Sequence, residues 1–316
     1  MKSAYLLLAL CLASLGRMPL IASQGKLVSV EVQNDAVAGT DENYTSGLEI
    51  VISKWVRAYP SYATEYSGEE VHHPPTPGIL GFNSQYVSKT TSVAIGQKIY
   101  TPSDLSETRY IPNDRPYAGW SYVRFSQEQT STEQRKMVAI TAGTFGPNSL
   151  AGDLQRSFHK LISSEEPRGW DHQIGNEIAI DLTLERESRI YRRRVASDYR
   201  FTLSSSQQAT LGMANTNLKI GLVASLGKGP NRSEHASTRY FSRATAAHVG
   251  RDRALNGPLP AGYDSVRKSS IVSELEFGLE RTMKFGRLAV SVTRRSRQSE
   301  GQTSPQTFGT IRYTLW

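Results

Sequence analysis

The sequence is poor in cysteine, in long apolar runs and in the usual catalytic signatures. Its 316 residues contain one cysteine, Cys11. Cys11 lies in an N-terminal leader, so the rest of the chain has no disulfide. That suits a reducing compartment or a fold that needs no covalent staples. Past the N-terminus no apolar run is long enough to cross a membrane as a helix. Apolar residues make up 38% of the chain and the mean hydropathy is negative. There is no G-x-S-x-G elbow, no H-E-x-x-H pair, no P-loop and no C-x-x-C, which removes the chemistries those motifs carry. No segment repeats with a period of about 20 to 50 residues, which argues against solenoids and propellers.

What is present begins with an export signal. Residues 1–24 read as a signal peptide, with Lys2 as a positive start, an apolar core from Leu6 to Leu15, and small residues at Ala22 and Ser23. Residues 25–316 then form a single domain.

From Leu27 the pattern alternates. Val28, Val30 and Val32 share one face and Ser29, Glu31 and Gln33 the other, the period of a strand. A second run carries Tyr44, Ser46, Leu48, Ile50 and Ile52 on one face. Similar runs are predicted at Thr90 to Tyr100, Tyr117 to Gln127, Lys136 to Phe145 and Asn176 to Ser188. Others follow at Val195 to Gly212, Asn215 to Leu226, Thr238 to Gly250, Lys268 to Met283, Phe285 to Ser296 and Gln306 to Trp316. The loop Gly68 to Phe82, rich in Pro, His and Gly, reads as an exposed excursion. About a dozen strands, several of them longer than ten residues, suit an all-β transmembrane antiparallel barrel. The closing alternation, ending on Trp316, fits the same architecture. A soluble barrel or sandwich is the competing reading; a closed barrel leaves no backbone edge unpaired in hydrocarbon.

One stretch breaks the pattern. In GPNSLAGDLQRSFHKLISSEEPRGWDHQIGNE, Leu150, Leu154, Phe158 and Ile162 recur every four residues, a helical spacing. Asn148 or Ser149 is the predicted cap, and Pro167 with Gly169 the predicted stop. This places a short helix, carrying His159 and followed by Glu165, in a loop between strands. The same pattern also describes a helix that merely packs over a barrel end, its histidine satisfied by a neighbour.

The net charge is +8. Arg189, Arg192, Arg193 and Arg194 form a dense cluster, with Arg243, Arg251, Arg253, Arg267 and Lys268 further on. In an exported protein such groups suit anionic lipid or polysaccharide phosphate, and nucleic acid is not an expected partner. His72-His73 lies in the Pro-rich loop; His172, His235 and His248 have no telling company.

A scattered polar set remains. Asn34 and Asp35 end the first strand at a barrel rim, and Thr45 begins the second. If the helical loop folds over the same rim, His159 and Glu165 join them. A neutral imidazole can take a proton from water. Carboxylates and an amide carbonyl are hard oxygen ligands suited to Ca2+, and a cation can stabilise the oxyanion of an attacked ester. The set suits metal-assisted ester hydrolysis without a covalent intermediate.

These residues also carry a resemblance. Asn34-Asp35, TDENYTSG, IYTPSD, NDRPYAGW, GPN and FHKLISSEEPRGWDHQIGNE, in this order, resemble the outer-membrane lipid A 3′-O-deacylase family from about Leu27 through Glu187. The later half matches in strand pattern more than in motif. The resemblance implies a twelve-stranded barrel with its site between the wall and a helix in an extracellular loop. It implies Ca2+-dependent hydrolysis of the 3′-linked acyloxyacyl ester of lipid A in the outer leaflet of a Gram-negative outer membrane. The family's functional positions fall on Asn34, Asp35, Thr45, His159 and Glu165, with Asp35 and Glu165 as candidate cation ligands. A family lysine is missing: TPSDLSETR follows Tyr100, with Glu107 near the expected place. Arg109 or Arg115 is the candidate for the missing charge toward substrate phosphate. The expected protein is a monomer acting on lipopolysaccharide. Two other readings stand beside it. One is an outer-membrane phospholipase using Ser157; the other is a porin or polysaccharide-binding barrel that uses the helix as a plug.

Overall fold

A computed structural model describes residues 25–39, 42–57, 88–228, 237–259 and 266–316. The leader, the Pro-rich loop Gly68 to Phe82 with His72-His73, and His235 lie outside the described residues. Twelve strands close into one antiparallel barrel, each paired with its sequence neighbours and the first with the last. They are β1 (Lys26–Asn34), β2 (Asn43–Arg57), β3 (Ser88–Thr101), β4 (Ala118–Thr130), β5 (Gln134–Phe145) and β6 (Glu177–Arg194). β7 (Tyr199–Gly212), β8 (Asn215–Lys228), β9 (Thr238–Asp252), β10 (Ile271–Met283), β11 (Gly286–Arg295) and β12 (Gln306–Leu315) complete it. The closing seam runs from Val28 opposite Leu315 to Asn34 opposite Gly309. Closure pairs the edge strands, which is what a wall in hydrocarbon requires.

The pleat sorts the side chains. Ile52, Ile95, Phe125, Ile180 and Leu218 are exposed on the outside, as a lipid-facing band requires. The inside is polar and crossed by ion pairs. Glu49 accepts from Arg124 at 2.6 Å and from the Tyr122 hydroxyl at 2.8 Å. Glu274 joins Arg295 at 2.7 Å and Lys219 at 2.9 Å. Arg135 bridges Glu128 and Glu185, and Arg312 pairs with Glu31. A cavity of about 320 Å³ remains among them, lined by residues such as Lys98, Tyr100, Trp120 and Arg295.

Among the described connections, the longer ones, 102–117, 146–176 and 296–305, lie at one end and the short ones, 131–133, 195–198 and 284–285, at the other; the end that carries the long ones is taken as the outer one by the usual asymmetry of such barrels. The loop between β5 and β6 holds helix α1 (Ala151–Ile162) and a 3-10 turn at Trp170–His172. A second short helix, α2 (Arg253–Asn256), follows β9.

Several sequence expectations need correction. Neither Asn148 nor Ser149 is the N-cap of α1. A 3-10 turn, Pro147–Ser149, precedes it, and Leu150 is the cap residue in left-handed backbone at φ 56°. The helix ends before Pro167, because Ser163 also turns left-handed at φ 55° and Ser164 N–H bonds back to the His159 carbonyl at 2.9 Å. The strand predicted to end at Ser188 takes in the arginine cluster: β6 runs on through Arg194, and the turn to β7 is closed by Val195 N–H on the Tyr199 carbonyl at 3.0 Å. That cluster ends up at the barrel end opposite α1. Part of the basic charge is spent internally, as Arg189, Arg243, Arg253 and Arg267 pair with Glu133, Glu276, Glu177 and Glu300.

Candidate active site

The candidate site is built on the outer wall of the barrel. Lys98 and Tyr100 line the inner cavity, so their neighbours Gln97, Ile99 and Thr101 point outward. The same alternation turns Gly119, Ser121, Val123 and Phe125 outward on β4, opposite Trp120, Tyr122 and Arg124. The β3–β4 register sets Ile99 against Gly119 and Gln97 against Ser121. Helix α1 lies against this patch. Gly119 is the reason it can: a Cβ there would come within 2.2 Å of Ala151 Cβ and 2.3 Å of Ser149 Oγ. Gln97 Nε2 and Ser121 Oγ both donate to the Ser149 carbonyl at 2.7 Å, fixing the start of the helix to the wall. Beneath α1, Ile99, Leu105, Tyr117, Ala151 and Trp170 form a small buried cluster. Each hydrogen bond of this kind contributes about 1 kcal/mol net.

The helix meets the wall with an unusual face. Ala151, Gly152, Gln155 and His159 are its buried residues. Its leucines point elsewhere: Leu150, Leu154 and Leu161 are 64%, 48% and 59% exposed. An amphipathic helix in water would do the reverse. Gly152 lets the Trp170 ring lie flat on the helix, since a Cβ would meet the ring at 2.9 Å. Trp170 Nε1 then donates to Gln155 Oε1 at 2.8 Å. The other amide atom, Gln155 Nε2, is buried with no hydrogen-bond partner.

His159, buried one turn after Gln155, holds the chemical interest. Its Nδ1 lies 2.5 Å from the backbone carbonyl oxygen of Glu165. A carbonyl can only accept, so Nδ1 carries the proton and Nε2 is the basic nitrogen of the neutral ring. Glu165 therefore reaches His159 through its backbone; its side chain is exposed.

Asn34, Asp35 and Thr45 come together around the β1–β2 turn. Thr45 is the extra residue of a β-bulge between Tyr44 and Ser46, a device that re-aims a side chain. Its carbonyl accepts from Asn34 Nδ2 at 3.2 Å. Asn34 Oδ1 caps the following 3-10 turn by accepting from Ala36 N–H at 2.8 Å. Asp35 is buried, and its Oδ2 accepts from Glu42 N–H at 2.8 Å. Thr45 Oγ1 lies 2.7 Å from Thr101 Oγ1, which ties this cluster to the outward face of β3, the strand α1 packs against. Thr101 was not singled out in the sequence, because nothing in its surroundings marks it. Glu42 is pushed above the ordinary carboxylate range, by burial first and then by the Asp114 charge.

The candidate phosphate residues separate. Arg115 is buried at the barrel mouth, its guanidinium 4.7 Å from the centre of the Tyr100 ring and 3.5 Å from Gln298 Oε1. Arg109 has an 85% exposed side chain and faces Glu107 at 3.5 Å. Ser157 is exposed, and it lies on a different face of α1 from His159.

The β1–β2 turn offers oxygen atoms: the buried Asp35 carboxylate, the Asn34 amide oxygen and, on the adjoining bulge, the Thr45 hydroxyl and carbonyl. Such oxygen atoms are the donor type a hard cation such as Ca2+ takes, and Asp35 is the buried carboxylate among them. Among the described residues, no three His, Cys, Asp or Glu side chains gather as a closed metal cage.

Comparison with known proteins bears on the fold and the family. The family model described as outer membrane protein LpxR matches residues 6–315. The solved structure of LpxR from Salmonella typhimurium superposes with a TM-score of 0.74 at 16% identity, covering 92% of this chain and 99% of that one. The β domain of the Bordetella autotransporter BrkA gives 0.48 at 10% identity, with 92% and 98% covered. The translocator domain of NalP from Neisseria meningitidis gives 0.42 at 9%, with 100% and 96% covered. No curated protein sequence matches the chain significantly. With nearly the whole chain matched by one family model and a closed twelve-stranded wall to carry it, the chain belongs to the LpxR family of outer membrane proteins.

Proposed function

We propose that the chain is a lipid A deacylase that hydrolyses the 3′-linked acyloxyacyl ester from the outer leaflet, using His159 as general base. The observation that carries this reading is the Nδ1 contact of His159 with the Glu165 carbonyl. It fixes the tautomer and ring orientation of an imidazole buried between a helix and a lipid-facing wall. Membership of the LpxR family supplies the substrate class.

In this mechanism Nε2 of His159 takes a proton from water as its oxygen attacks the ester carbonyl carbon. The tetrahedral adduct then collapses, the bond to the sugar 3-oxygen breaks, and the imidazolium returns its proton to that oxygen. The products are a free acyloxyacyl acid and a sugar hydroxyl. Glu165 acts through its backbone, holding His159 in register. Asn34 secures the Thr45 carbonyl, and the Thr45–Thr101 pair orders the wall beside it. Gln155, with an unpartnered buried amide nitrogen, has a donor to offer the substrate; leaving such a group unmet costs about 1–3 kcal/mol. Ca2+ would be held chiefly by Asp35 and neighbouring oxygens, and when bound it supplies polarisation of the ester carbonyl. General-base catalysis of this kind contributes roughly 10²–10⁴-fold.

The competing readings find less support. Ser157 and His159 do not share a face of α1, so no serine–histidine pair is formed. A lumen crossed by the Glu49–Arg124 and Glu274–Arg295 pairs suits a closed wall more than a porin channel.

The test is mass spectrometry of lipid A from cells with and without the protein, in Ca2+ and in chelator. Loss of the 3′-acyloxyacyl mass only with the protein, and only with Ca2+, is the expected result. Unchanged lipid A in all four samples would overturn the reading.

A further inference from the structure

Helix α1 carries three stripes, set about 100° apart by the helical repeat. Gln155 and His159 face the wall. Leu154 and Leu161, seven residues apart and flanked by Leu150, are exposed on one side. Asp153 and Lys160, also seven apart, face away from the wall, and Asp153 pairs with Arg156 at 2.8 Å. The strands that carry the helix also carry an apolar surface already assigned to lipid. Directly below the Gln97–Ser121 pair that fastens the helix, the outward cross-strand pairs are Ile95–Val123 and Val93–Phe125, all exposed. They begin two residues, roughly 7 Å, down the wall. Ile178, beside the base of the same loop on β6, is 71% exposed.

We infer that α1 is an interfacial helix seated in the outer leaflet, its Leu150–Leu154–Leu161 side among lipid acyl chains and its Asp153–Lys160 side at head-group level. The leucines extend the hydrocarbon-facing band of β3, β4 and β6 upward past the rim. A helix with one apolar flank and a charged outer face is the pattern of a segment lying in the interface plane, and Lys160 can lay its stem along the apolar side while its ammonium stays wet. The lipid layer thereby presses the His159 face onto the wall, so that the membrane itself completes the packing of the loop. This inference rests on the membrane position of the barrel and stands independently of the reaction.

Site-directed fluorescence tests it. In a Cys11→Ser background, bimane is attached at Leu154→Cys, Leu161→Cys, Asp153→Cys and Lys160→Cys, with Phe125→Cys on β4 as a lipid-exposed standard. The protein is reconstituted in phosphatidylethanolamine–phosphatidylglycerol vesicles containing lipid nitroxide-labelled either mid-chain or on the head group. Heat-modifiable gel migration confirms that each variant is a folded barrel. The expected result is mid-chain quenching at positions 154 and 161 approaching that at 125, with head-group quenching dominant at 153 and 160. Mid-chain quenching at 154 and 161 no stronger than at 153 overturns the inference. In that event, disulfide cross-linking between copies at 154 assigns the leucines to a second copy, and its absence assigns them to water.

Discussion

His159 is held by the Glu165 main chain and not by its carboxylate: Nδ1 sits 2.5 Å from the carbonyl oxygen while the acidic side chain points to solvent. The two positions should therefore respond differently to truncation. His159→Ala is expected to lower deacylation by about 10²-fold or more. Glu165→Ala keeps the carbonyl and is expected to lose much less. Lipid A mass spectrometry on both variants checks this; an equal loss would mean that the Glu165 carboxylate works directly.

Asp35 is the buried acid of the β1–β2 turn, and one of its oxygens accepts from Glu42 N–H. Asp35→Asn preserves an acceptor but removes the charge. The expected outcome is a folded barrel whose activity falls sharply and is partly restored by raising Ca2+. Activity unaffected at low Ca2+ would remove Asp35 from the cation site.

Gly119 permits the close approach of α1. Gly119→Val would drive carbon into Ala151 and Ser149, already within 2.3 Å of an added Cβ. The barrel should still migrate as a heat-modifiable band, since the β3–β4 ladder is unchanged. Activity should drop with it, and protease cleavage within 150–165 should rise. Wild-type turnover in this variant would show that the helix need not touch β4.

The two candidate arginines should separate by readout. Arg109→Ala removes an exposed charge, so its effect should appear as a raised KM with unaltered thermal stability. Arg115→Met removes a buried guanidinium stacked on Tyr100 and should lower the unfolding temperature. Interchanged outcomes would reverse the assignment.

Much of the wall was legible because its period is short and its strands are long. β1, β3, β5 and β8 fall within a few residues of their alternating runs. β6 was legible from Glu177 to Ser188 but not beyond, because its Arg189–Arg194 end has charge on both faces and no alternation to read. The helix was visible in the spacing of Leu150, Leu154, Phe158 and Ile162. Its caps were not, since Leu150 and Ser163 adopt left-handed backbone that neither residue type signals. The polar set was found from residue type and order. Its outward aim was hidden, because the bulge at Thr45 shifts which side chains share a face. Glu165 was found for its carboxylate, yet it meets His159 with a backbone atom, which every residue at that position would possess.

If the proposed site works on the outside of the barrel, its position changes what concentration means for the reaction. In the proposed reaction, substrate would reach Thr45, Thr101 and His159 by sliding sideways in a monolayer, so encounter would be governed by surface density and two-dimensional diffusion. The acid released in that reaction would be apolar enough to remain in the same monolayer, so turnover is expected to slow as product accumulates around the barrel. Rates measured in detergent should therefore track the mole fraction of lipid A in the micelle, not its molarity in the tube.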